Sequence, residues 1–156
     1  MDNNNNNNPI AYTPLLLKSL PSFVPPLVSG TVIKVYDGDT ITIASPIPGM
    51  TDASLYKFSI RLRGIDTPEI RTKNKEEKEI GIIARNELRK LILKQHVRIC
   101  NIGKEKYGRL LCDVYLNDVH VNKWLITNYL AVPYNGGKKN SPESWRDYYN
   151  TIREDC

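Results

Sequence analysis

Cysteine is scarce: three in 156 residues, at positions 100, 112 and 156. They show neither CxxC spacing nor an even count, which argues against both a disulfide framework and a structural zinc site. Cys100 and Cys112 stand in apolar, strand-like runs and read as small core residues. The only two histidines, His96 and His120, are isolated in the chain, so both read as structural or surface residues rather than metal ligands. No run approaches the roughly 20 apolar residues that span a bilayer, and the most apolar segment, PLLLKSLPSFVPPLV, is interrupted by Lys and Pro. No basic stretch precedes an apolar one as in a secretory signal. These absences favour an intracellular protein with no stable membrane association. No internal repeat is visible.

What remains is the composition of one folded domain: 40% hydrophobic and 25% charged residues, in a chain long enough to bury a core. The net charge of +5 favours an anionic partner. That charge is concentrated, because residues 61–109 hold 14 Lys or Arg against 7 Asp or Glu. Part of it, the run KNKEEKE, reads as the solvated face of a helix. The poly-Asn tract Asp2 to Asn8 cannot bury apolar surface and is expected to be disordered. With the irregular Pro/Leu-rich stretch after it, this makes an N-terminal segment over residues 1–28, ahead of a single domain over 29–156.

Alternating β-branched residues predict strands at Thr31 to Val35 and Thr40 to Ala44, joined as a hairpin about Asp37-Gly38-Asp39. Further strands are expected at Lys57 to Arg63, His96 to Asn101 and Leu110 to Leu116. Ile80, Ile83, Ala84, Leu88, Leu91 and Ile92 recur at helical spacing and predict a helix from about Glu79 to Lys94. A short helix follows from about Val121 to Tyr129. Ser141-Pro142-Glu143 has the chemistry of a helix start and opens a last helix carrying Trp145, Tyr148, Tyr149 and Ile152. Five short strands with an intervening helix point to an α+β fold, a five-stranded OB-fold β-barrel with about three packed helices.

The chemistry concentrates at two acidic knots, YDGDT and GIDTPE. Asp-Gly is an ordinary hairpin signal, but Asp37, Asp39, Asp66 and Glu69 all lie at strand ends, where they can converge. Converging carboxylates without His or Cys make a hard-oxygen site that suits calcium or magnesium. Arg61 and Arg109 stand where a guanidinium beside such a site can clamp a phosphate with two donors.

Three blocks in fixed order, VYDGDTITI, IRLRGIDTPE and KYGRLL, followed by VNKWLITNYLAV, give the chain its resemblance to the staphylococcal nuclease (thermonuclease) family, over about Thr31 to Tyr134. The resemblance implies that Asp39 and Asp66 hold Ca2+ together with the carbonyl of Thr67, with Asp37 supporting them from behind. It implies Glu69 as general base, Arg61 and Arg109 as the grip on the scissile phosphate, Lys106 and Tyr107 beside a terminal nucleotide phosphate, and Tyr134 stacked on a base. The implied activity is a calcium-dependent endonuclease, hydrolysing DNA and RNA with little sequence preference and leaving 3′-phosphates. A monomer is expected. Gly38 is read as letting the backbone bend so that Asp39 can face the site, and Arg63-Gly64, which departs from the family pattern, as a bulge with an added phosphate contact. The alternative is a catalytically inactive OB-fold module that binds nucleic acid or protein. Such relatives lose metal or arginine positions, whereas this chain fills them all. A membrane-surface role lacks a basic amphipathic anchor helix.

Overall fold

The computed structural model describes residues 13–51, 54–105 and 107–153; the poly-Asn tract, Lys106 and Cys156 lie outside them. A short helix, α1 (Pro14–Ser19), occurs in the segment read as irregular. Farther along, Leu27 is buried in the main core, so packing begins just ahead of the first strand.

The chain then forms β1 (Ser29–Val35), β2 (Thr40–Ser45), β3 (Tyr56–Leu62) and the two-residue β4 (Ile65–Asp66). After α2 (Lys75–Ile92) come β5 (His96–Lys104), β6 (Leu110–Leu116), β7 (Val119–His120), α3 (Val121–Thr127), β8 (Val132–Pro133) and α4 (Trp145–Asn150). Five strands run in the order β3-β2-β1-β5-β6, and a parallel pairing between β3 and β6 closes them into the expected barrel, with β7 appended to β6. Alternation carries the barrel: Val32, Ile41, Ile43, Ile60, Val97, Cys112 and Val114 point inward and are buried. Burial pushes the Cys112 thiol up to about 12, so it packs as an inert apolar group. No helix among the described residues is long and apolar enough to cross a membrane.

Two helix starts differ from the sequence reading. Helix α2 begins four residues early, because the Asn74 side chain caps the amides of Glu76 and Glu77. Its stripe of Ile80, Ala84, Leu88 and Ile92 faces the core as expected. Helix α4 is capped by Ser144 rather than Ser141: the Ser144 hydroxyl accepts from the Asp147 amide and donates to Glu76 of α2, a partner only the fold supplies. Trp145 then packs with Ile80 and Val132, and the Tyr148 hydroxyl donates to the Ala131 carbonyl. These contacts hold β8 against β4 (Ile65↔Pro133, Asp66↔Val132). Buried Asn122 of α3 accepts from the Val114 amide and donates to the carbonyls of Arg63 and Cys112, fastening that helix to the barrel.

Candidate active site

The hairpin turn before β2 is closed by the Tyr36 amide donating to the Thr40 carbonyl, with the Asp37 carboxylate accepting from the Asp39 amide. Gly38 in that turn does not adopt a left-handed conformation. A Cβ there would lie 2.9 Å from the Thr67 side chain, so glycine is required by close approach rather than by a bend. That approach joins the two acidic knots.

The second knot is placed by β3 and α2. Arg61 pairs with Thr40 across the β2–β3 ladder, and the turn at Arg63-Gly64, with Gly64 at φ +77°, sends Asp66 back beside Arg61. Helix α2 packs so closely on the loop after Asp66 that a Cβ on Gly81 would sit 2.7 Å from the Pro68 carbonyl. Glu77 of α2 accepts from the Glu69 amide, fixing the end of that loop. Barrel closure brings the third piece: Leu110 pairs with Ile60, so Arg109, just before it, arrives beside Thr40 and Arg61.

One cavity of about 340 Å³ receives all of these groups, and Asp37, Asp39, Arg61, Asp66, Thr67, Glu69, Tyr107, Arg109 and Tyr134 line it. Of the expected site residues, only Lys106 falls outside the described part of the chain. Arg61 is the hub. Its guanidinium donates to Asp39, to Asp66 at 3.3 Å and to the Ile65 carbonyl at 3.3 Å, with the Tyr134 ring centroid 5.7 Å away. Burial opposes its charge, but Asp39 and Asp66 more than offset that and raise its pKa.

Three residues of the site had escaped the sequence reading: Glu105 and Lys139, which line the cavity, and Thr40, buried behind it. Glu105 grips Arg109 with two 2.6 Å hydrogen bonds and lies 3.9 Å from Arg61 Nε, so it orients both arginines. The signal was the acid four residues ahead of Arg109, within a turn where Gly108 sits at φ +86°. Thr40 Oγ1 donates to Asp39 and accepts from Arg109 Nη1 at 3.2 Å, linking the carboxylate to the guanidinium. Lys139 reaches back from the loop after β8 to Asp66 (3.1 Å) and Glu69 (2.8 Å). Nothing in GGKKN marks it. Arg63, by contrast, is outside the cavity: its guanidinium donates to the carbonyls of Asn101 and Leu111, which makes it a structural clip across the β5–β6 bulge rather than a phosphate contact.

Charge in the cavity does not balance internally. Among the described residues, five carboxylates (Asp37, Asp39, Asp66, Glu69, Glu105) face three cations (Arg61, Arg109, Lys139). Burial, reinforced by Asp39, lifts the Asp37 carboxyl to about 6. Burial also raises Asp66, and Lys139 and Arg61 do not fully offset it.

A profile of the family described as staphylococcal nuclease homologues matches residues 59–154, more than half of the chain. The chain belongs to the staphylococcal nuclease family. Among its relatives, the thermonuclease of Staphylococcus intermedius is 36% identical over 102 residues, covering 64% of this chain and 56% of that protein. An uncharacterized endonuclease of Haemophilus influenzae is 28% identical over 103 residues, 66% of this chain and 51% of that protein. A probable staphylococcal-like nuclease of Oryza sativa is 31% identical over 72 residues, 46% of this chain and 13% of that protein. The chain thus spans about half, or less, of the length of these curated relatives. The matched residues begin within β3, so β1, β2 and the DGD turn between them lie outside the match.

Proposed function

We propose that this domain is a calcium-dependent phosphodiesterase that hydrolyses DNA and RNA with little sequence preference and leaves 3′-phosphates. One observation carries the reading: a carboxylate pair, Asp39 and Asp66, and an arginine pair, Arg61 and Arg109, line the same open cavity. The donor set fits a hard divalent cation. It is all oxygen, its carboxylates outnumber the cations by two among the described residues, and burial with like-charge repulsion holds Asp37 and Asp66 above the usual carboxylate range.

Asp39, Asp66 and the Thr67 carbonyl would hold the ion, which when bound supplies positive charge against the phosphate oxygens. Arg61 and Arg109 would grip the same phosphate with their guanidinium donors. Contacts to Glu105 and Thr40 engage three of Arg109's five N–H donors, leaving two in a fork suited to phosphate. Glu69, at the rim, would take a proton from water as the water oxygen bonds to phosphorus and the bond to the 5′-oxygen breaks, the departing 5′-oxygen taking a proton from solvent. The side chain is held ready by Lys139 and by its own loop's anchorage on α2.

Incubation of plasmid and single-stranded DNA or RNA with calcium or with excess chelator tests the reading. Cleavage is expected with calcium only, ending in 3′-phosphates. Full hydrolysis in chelator would overturn the metal requirement, and binding without hydrolysis in calcium would assign the chain to the inactive binding modules.

Lys139 should also leave a measurable trace. Its ammonium shares Asp66 with the ion, so Lys139→Ala is expected to tighten calcium binding about fivefold, the scale of a half-exposed ion pair. Calorimetric titration of calcium into substrate-free protein reads this directly. Unchanged or weaker affinity would show that Lys139 does not oppose the ion.

A further inference from the structure

Beside the candidate active site lies a second cavity, of about 330 Å³, lined by Tyr36, Asp37, Glu69, Ile70, Arg71 and Arg85. The two cavities share Asp37 and Glu69 as a common wall. Tyr36 is 41% exposed, directly ahead of the DGD turn, and Lys34 Nζ and Arg71 Cζ each lie 5.3 Å from its ring centroid. Among the described residues, Lys34, Arg71 and Arg85 form no salt bridge, whereas Arg61, Arg109 and Lys139 in the neighbouring cavity are all paired with carboxylates.

An exposed aromatic ring with mobile-ended cations over it and no carboxylate partners for them is the chemistry that holds single-stranded nucleic acid: a base can displace a cation to stack on the ring, and the displaced cation attracts phosphate independently of sequence. We propose that this cavity is a flanking-nucleotide subsite, taking the nucleotide that leaves the candidate active site on the Glu69 side. The base lies on Tyr36. Carboxylates in the shared wall repel phosphate there, so the sugar-phosphate runs toward Arg71 and Arg85, with Lys34 at the outer edge. The inference rests on the nuclease reading of the adjoining cavity, and it predicts that an extended strand binds better than a lone phosphodiester.

The test is the affinity of a fluorescently labelled single strand of about eight nucleotides, measured by anisotropy in chelator, for wild type, Tyr36→Ala, Tyr36→Phe and Arg71→Glu, each with its melting temperature. Tyr36→Ala is expected to weaken binding about five- to fiftyfold while Tyr36→Phe keeps it, the pattern of stacking. Arg71→Glu should weaken binding at least as much and flatten its salt dependence. In calcium, both weakening variants should raise KM more than they lower kcat. Wild-type affinity in folded Tyr36→Ala and Arg71→Glu overturns the subsite, even if the wild type cleaves normally. Weakened binding in a protein that does not cleave supports the subsite and overturns only the catalytic reading. Should Tyr36→Ala fail to fold, Arg71→Glu, altered at an exposed loop position, decides alone.

Discussion

Replacing Arg109 by alanine is expected to lower kcat by about a hundredfold or more, the scale associated with removing one preorganised group that meets charge developing in the transition state. Arg109 has the geometry for that role. Glu105 fixes one edge of its guanidinium with two hydrogen bonds and Thr40 fixes a third donor, so its remaining donors face the cavity without rearrangement. Glu105 also raises its pKa, so the charge is permanent. Lysine should rescue poorly, because an ammonium keeps the charge but can neither fill the Glu105 fork nor present two coplanar donors. The side chain is partly exposed, so the alanine variant should fold. Steady-state kinetics with thermal stability on the same preparation give the answer: a folded variant with near-normal kcat removes Arg109 from the mechanism.

Arg61→Ala is expected to cost stability as well as activity. Its partners Asp39 and Asp66 are 7% and 3% exposed and repel one another, so removing the guanidinium leaves Asp39 without its cation and Asp66 with Lys139 alone. A loss of about 3 kcal/mol or more follows from breaking a buried pair on one side, about 10 °C in melting temperature for a chain of this size. Saturating calcium should return a good part of that loss, since a ligand bound only by the folded state stabilises it by mass action. Melting curves in chelator and in excess calcium therefore separate the two contributions. Equal losses in both conditions would mean that the proposed ion does not compensate Asp39 and Asp66.

The expected barrel, its five strands and the stripe of α2 were legible because each rests on local periodicity: alternation in Val32 to Val35 and Leu110 to Leu116, three-and-four spacing from Ile80 to Ile92. The acidic knots were legible for a related reason. Carboxylates beside Gly and Pro at strand ends are unusual enough to be noticed without a fold, and the structure brings those residues to one cavity.

Partners distant in sequence were not legible. Whether Gly38 bends or merely makes room is decided by Thr67, twenty-nine residues away, whose side chain occupies the space a Cβ would need. Arg63 looked like a phosphate ligand until the β5–β6 bulge presented two carbonyls to it. Ser141 carried a better helix-start signature than Ser144, but only Ser144 meets Glu76 of α2. Lys139 could be recognised only once the pairing of β4 with β8 had turned its loop over Asp66 and Glu69. By itself the sequence determined which elements form and which residue types stand at their ends, because propensity, alternation and turn chemistry act over a few residues. The tertiary structure alone decided which charges meet, because the parallel closure of β3 on β6 and the packing of α2 and α4 set distances between residues far apart in the chain, and Coulomb and hydrogen-bond energies depend on those distances.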